Sequence, residues 1–198
     1  MKRFASSLAL AFTMLVSSVA FAATTTYRTT MSGPSEAPPV ASPGAGIATI
    51  VIDDIAMTMS LTMPFFDLLD ETVAAHLHCC TAEPLIGTAR VALPFGDFPL
   101  GVRAGNYARV FNLSDPGTYS AAFITAHGGT VEAARSFLLA GINANESYLN
   151  IHTGAYPGGE IRGFLVAMPV PEPASWLMLG VGIAGLSVYA RRRQGARS

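Results

Sequence analysis

The sequence predicts a mainly β protein: an antiparallel β-sandwich with one short helical insertion, preceded by a signal peptide and followed by a C-terminal transmembrane helix. Three observations lead there. The middle of the chain is a series of short β-branched or alternating runs separated by turns rich in proline and glycine. One stretch alone has helical spacing behind a capping residue. Both ends carry long apolar runs beside positive charge.

Residues 1–22 open with Lys2 and Arg3, continue through the apolar "FASSLALAFTMLVSSVAF", and close on the small-x-small triplet Ala20-Phe21-Ala22. That order predicts cleavage by signal peptidase and a mature chain beginning at Ala23. Residues 23–168 form one domain. "TTTYRTTMS" is its first strand, and "GIATIVID" and "MTMSLTM" are a pair around a turn at Asp53-Asp54. "AAHLHCC", "GTARVAL" and "NYARVFNL" continue the pattern. "GGTVEAARSFLLAG" is the helix, with Thr130 as N-cap, Glu132 in the first turn and Gly141 as its stop. "SYLNIHT" and "EIRGFLVA" form a closing hairpin around "GAYPGG". Residues 169–198 hold an uncharged run, Ala174 to Ala190, followed by Arg191, Arg192 and Arg193. As a helix this run spans about 25 Å, enough for a hydrocarbon core, and the arginines keep its far end cytoplasmic. The preceding domain then faces outward.

The whole chain has a formal net charge of −1, yet residues 23–168 carry six arginines, no lysine and twelve acidic residues. This acidic domain excludes nucleic acid as a partner and suits solubility outside a cell.

The chain has four histidines and two cysteines, and "HLHCC" gathers two of the first and both of the second into five positions. On a strand, residues two apart share a face, so His76 and His78 point one way with Cys80, and Leu77 points the other. In the hairpin, Tyr148, Asn150 and His152 share a face, and Glu160 and Arg162 come across from His152 and Asn150. One side of the sheet is therefore expected to carry His76, His78, His152, Asn150, Glu160 and Arg162. Two readings stay open. In one the cluster is structural, with Glu160 pairing Arg162 or a histidine. In the other His76, His78 and His152 bind zinc or copper, which neutral imidazoles suit. Cys79 and Cys80 also have two readings. They form a vicinal disulfide that ends the histidine strand, or Cys80 is a thiolate ligand beside the histidines. No serine lies in a Gly-x-Ser-x-Gly elbow. Glu36, in "SEAPPV", reads equally as a linker acid or as a residue closing on the sheet.

"MSGPSEAPPV", "GAGIATI", "AAHLH" and "YLNIHTGAYPGGEIRGFL" together resemble the CHRD domain, named after chordin, over roughly Met31 to Leu165. The resemblance implies a β-sandwich in an extracellular setting and brings no catalytic activity. Cys79-Cys80 depart from the glycine-rich sequence of many members, and Phe164 stands where glutamine is common. Pro171-Glu172-Pro173, the membrane helix and the terminal arginines resemble the PEP-CTERM sorting signal of Gram-negative bacteria. That signal implies an inner-membrane intermediate, processing by exosortase, and delivery to the cell surface or the extracellular matrix, with exopolysaccharide or other surface proteins as neighbours. The expectation is an exported, non-enzymatic binding or structural module. The alternative is a metal-dependent oxidoreductase on His76, His78 and His152, since the His-x-His pair is similar to that of the copper/zinc superoxide dismutase sandwich.

Overall fold

A computed structural model describes residues 24–169 and 179–187. The expected signal peptide, residues 1–22, lies outside them, as do Pro171-Glu172-Pro173, Arg191, Arg192, Arg193 and the ends of the expected 174–190 helix. Residues 179–187 are helical, and among the described residues no helix is long and apolar enough to cross a membrane.

The threonine-rich run forms β1 (Thr24–Ser32), and the next two runs form β2 (Ala45–Asp53) and β3 (Thr58–Phe66). Asp53 Oδ1 accepts hydrogen bonds from Ile55 N and Ala56 N, which turns the chain between β2 and β3. β4 (Thr72–His78), β5 (Val91–Pro94) and β6 (Gly105–Asn112) follow. Two helices come next, α1 (Ala121–Ala126) and α2 (Val131–Asn143), then β7 (Tyr148–Thr153), β8 (Ile161–Phe164) and β9 (Val166–Ala167).

The strands make one curled antiparallel sheet, in the order β5-β4-β7-β8-β1-β2-β3-β6, with β9 also on β1. This corrects the expected sandwich. β1 pairs with β2 along its whole length on one edge, and its other edge meets β8 at Ser32↔Arg162 and β9 at Tyr27↔Ala167. Backbone pairing thus joins what would be two sheets. Curling brings the two outer edges together through side chains: Phe95, just past β5, packs 5.4 Å from Tyr107 and 5.6 Å from Phe111 of β6. Tyr107 Oη donates to Gly96 O at 2.8 Å. The inner face is the core, with Tyr27, Met31, Ile50, Leu61, Phe65, Leu77, Leu149 and Ile161 all buried.

Thr130 caps α2, its side chain accepting from Ala133 N. Gly141 does not stop the helix, which runs on to Asn143. Its role is close approach. Cys79 and Cys80 form a vicinal disulfide, and a Cβ at Gly141 would overlap both sulfurs. Gly141→Ala is therefore expected to destabilise the protein by roughly 2 kcal/mol, although alanine is favoured in a helix by about 1 kcal/mol. A lowered midpoint in chemical denaturation is the check; a raised one would show that propensity outweighs the contact. The short helix α1 was not anticipated. Its signals are the Ser120 cap, which accepts from Phe123 N, and Gly128 at φ +93° beyond its end.

Candidate functional site

Period-2 alternation builds the site. In β4, Ala75 and Leu77 turn into the core, so His76 and His78 occupy the outer face. β7 does the same: Leu149 and Ile151 are core, while Tyr148, Asn150 and His152 face outward. The register sets His76 against Asn150, His78 against Tyr148 and Ala74 against His152. His152 is thus one step diagonal from His76, and their rings lie 5.0 Å apart.

Two connections hold the rings on this face. His78 Nδ1 lies 3.0 Å from Ala89 O, in the loop after β4. His152 Nδ1 lies 2.9 Å from Pro157 O, in the β7–β8 turn. A carbonyl only accepts, so both rings carry their proton on Nδ1 and keep a lone pair on Nε2. His76 Nδ1 faces His152 Nε2 at 3.2 Å, and His78 Nε2 is buried without a partner. One ligand-capable nitrogen from each ring lies within 4.8 Å of the other two. Burial, with the neighbouring His152, lowers the pKa of His76 to about 4. Burial also lowers His78 to about 4 and lowers His152. All three imidazoles are neutral at neutral pH, the form that ligates a metal.

A family model for the CHRD domain matches residues 27–165, more than half of the chain. The chain belongs to the CHRD-domain family. A second model, the PEP-CTERM protein-sorting motif, matches residues 169–193, which marks the CHRD protein for export, processing by exosortase and surface sorting in Gram-negative bacteria. No curated protein and no solved structure matches the chain.

The CHRD domain does not bring every expected residue to the histidines. Glu160 lies one residue before β8, follows Gly159 at φ +128°, and is fully buried elsewhere. Its carboxylate accepts from Ser42 Oγ at 2.6 Å, Leu69 N at 2.7 Å and Thr153 Oγ1 at 2.7 Å. It pairs with neither Arg162 nor a histidine. Arg162 does lie across from Asn150, with its guanidinium 5.0 Å over the Tyr148 ring. Its Nη1 donates to Gly87 O at 2.9 Å and its Nε to Ser35 O. The acid beside Arg162 is Glu36, at 3.9 Å and equally buried. Burial raises the Glu36 pKa to about 7, with Arg162 pulling the other way. Cys80 does not join the histidines either: its sulfur lies 3.9 Å from Phe137 O of α2.

Tyr148 is the residue that sequence reasoning left without a role. Its ring stacks on His78 at 4.7 Å and 2°, and its hydroxyl accepts from Ala89 N at 3.2 Å, fixing the loop that orients His78. The visible signal was its place two residues before Asn150 on the same face.

These shifts set an acid limit for the metal-free protein. His76 and His78 contribute fully to stability above the unfolded value near 6.5 and lose that contribution as pH falls toward 4, and His152, lowered by burial, acts in the same sense. Glu36 acts in the opposite sense, its contribution complete below about 4.5 and lost as pH rises through about 7. Three histidines outweigh one carboxyl, so the denaturation midpoint is expected to be lower at pH 5 than at pH 7. His78→Asn should flatten that difference; an equal midpoint at both pH values in the parent protein would contradict the assignment.

Proposed function

We propose that this CHRD protein is an exported, surface-sorted metal-binding module that holds zinc or copper on His76, His78 and His152 without catalysing a reaction. The observation that carries the reading is the convergence of three neutral imidazoles, two of them held in one tautomer by backbone carbonyls. Metal-binding histidines commonly donate their second N–H in this way. The donor set is nitrogen alone, which suits zinc or copper and not calcium or magnesium. Titration of the full-length chain with zinc, followed by calorimetry and elemental analysis, should give one equivalent bound; none bound would remove the reading.

Sorting supplies the setting. Signal peptidase would release Ala23, and the helix at 174–190 would anchor the chain in the inner membrane until exosortase acts at Pro171-Glu172-Pro173. The mature module would then sit at the cell surface or in the extracellular matrix, beside exopolysaccharide or other surface proteins. Replacing Pro171, Glu172 and Pro173 with alanine is expected to leave the protein uncleaved in the membrane fraction. Release of the variant at the parent level would count against exosortase processing.

The second reading is a metal-dependent oxidoreductase of the superoxide dismutase kind. It is favoured by one observation, the position of His76 on the wall of a cleft. Superoxide decay above the rate given by free copper, in the copper-loaded protein, is its test.

A further inference from the structure

The metal site proposed above has three protein ligands, His76, His78 and His152, and no carboxylate or cysteine among the described residues adds a fourth. The nearest candidates are engaged elsewhere. Glu160 is held by Ser42, Leu69 and Thr153, Glu36 faces Arg162, and the cysteines are in a disulfide against α2. Three imidazoles leave a tetrahedral ion with one position to fill, the arrangement of sites that bind exchangeable ligands.

The surroundings also fix where that position opens. His78 is 8% exposed, with Tyr148 stacked on its ring, and His152 is 9% exposed under the Pro157 carbonyl. Those two sides are closed. His76 is only partly buried, and with Ala74 from the same face it lines a cleft of about 660 Å³. The cleft runs between the two outer edges of the sheet. Its walls are apolar at Phe98, Leu100 and Phe111, and Arg109 stands over the Phe111 ring at 5.4 Å. Arg109 already pairs with Asp97 at 3.1 Å and Asp115 also lines the cleft, so its side chains carry a net negative charge and the attraction for an anion has to come from the ion itself.

Resting on the metal reading, we propose that the bound metal keeps one exchangeable coordination position facing this cleft, and that the site takes a monoanionic ligand with an apolar body, of the carboxylate class. The anion replaces metal-bound water, its negative oxygen on the ion. Its hydrocarbon part lies along Phe98 and Leu100. An anion is favoured because three neutral imidazoles leave the full charge of the ion uncompensated.

The test uses the full-length chain loaded with cobalt(II), whose visible bands report coordination. Azide should shift the bands, and benzoate should compete with azide at least about tenfold more tightly than acetate does. Ala74→Leu, which fills the cleft beside His76, should weaken benzoate by about tenfold or more while cobalt affinity stays close to the parent value. Val110→Trp does the same from the opposite wall, at a residue 64% exposed, and covers the case in which Ala74→Leu does not fold. Cobalt bands that ignore azide and benzoate overturn the open position but leave the metal site standing. Azide binding with benzoate no tighter than acetate overturns the role of the cleft. Absence of cobalt bands removes the metal site and this inference together.

Discussion

Replacing His78 with alanine is expected to lower zinc affinity by at least about a hundredfold, roughly 3 kcal/mol, the scale for losing one of three ligands from a site of this kind. His78 has the largest expected effect because its Nε2 is buried with no partner in the protein. A buried unpaired acceptor is costly, and a cation is a species that would satisfy it. The alanine variant also loses the Nδ1–H bond to Ala89 O and the stack on Tyr148, so stability must be measured beside affinity. Tyr148→Phe separates the two effects. It keeps the stack and removes the hydroxyl contacts with Ala89, and it should weaken zinc about tenfold through the orientation of His78. His127 is the control. Its ring lies 3.7 Å from that of Phe137, on the α1–α2 side, and His127→Ala should leave zinc affinity unchanged. Zinc bound equally well by the parent, His78→Ala and His127→Ala would place the ion elsewhere.

The three histidines were legible in the sequence because strand alternation is local. A period of two in "AAHLH" and in "SYLNIHT" assigns each imidazole to the outer face, and the short turn between β7 and β8 limits the register to a few choices. The Thr130 cap was legible for the same reason: it acts within four residues. What failed was long-range. Glu160 was assigned to the histidine face by extending the strand through it, but Gly159 at φ +128° breaks the alternation before Ile161. Glu36 lies in a proline-rich connection, and where such a segment lands is decided by the chain it covers. Gly141 reads as a helix stop and as a contact point with equal ease, and only the sulfurs packed on it decide. The continuous sheet rests on β1 meeting β8 and β9, a pairing between residues far apart in the chain that no local pattern announces.

The reassignment of Glu160 makes the last expected result a matter of stability. Its carboxylate is fully buried and joins three separate segments: Ser42 in the β1–β2 connection, Leu69 after β3, and Thr153 at the end of β7. Hydrogen bonds to an ionised acceptor are about twice as strong as neutral ones. Glu160→Ala would strand these donors in the interior, at about 1–3 kcal/mol for each that finds no replacement. The expected loss is about 4 kcal/mol, or about 10 °C in Tm for a domain of this size. Glu160→Gln should fall between parent and alanine, near 2 kcal/mol. One amide oxygen can still accept from Ser42 and Leu69, and the Thr153 hydroxyl can rotate to accept from the amide nitrogen. The order parent, glutamine, alanine is therefore the signature of a carboxylate that fastens segments together. Both variants, measured where they remain folded, should bind one zinc with affinity near that of the parent, because no histidine contacts Glu160. Loss of zinc from folded Glu160→Gln would return this residue to the metal site. An unchanged midpoint in Glu160→Ala would show that the buried carboxylate holds nothing together.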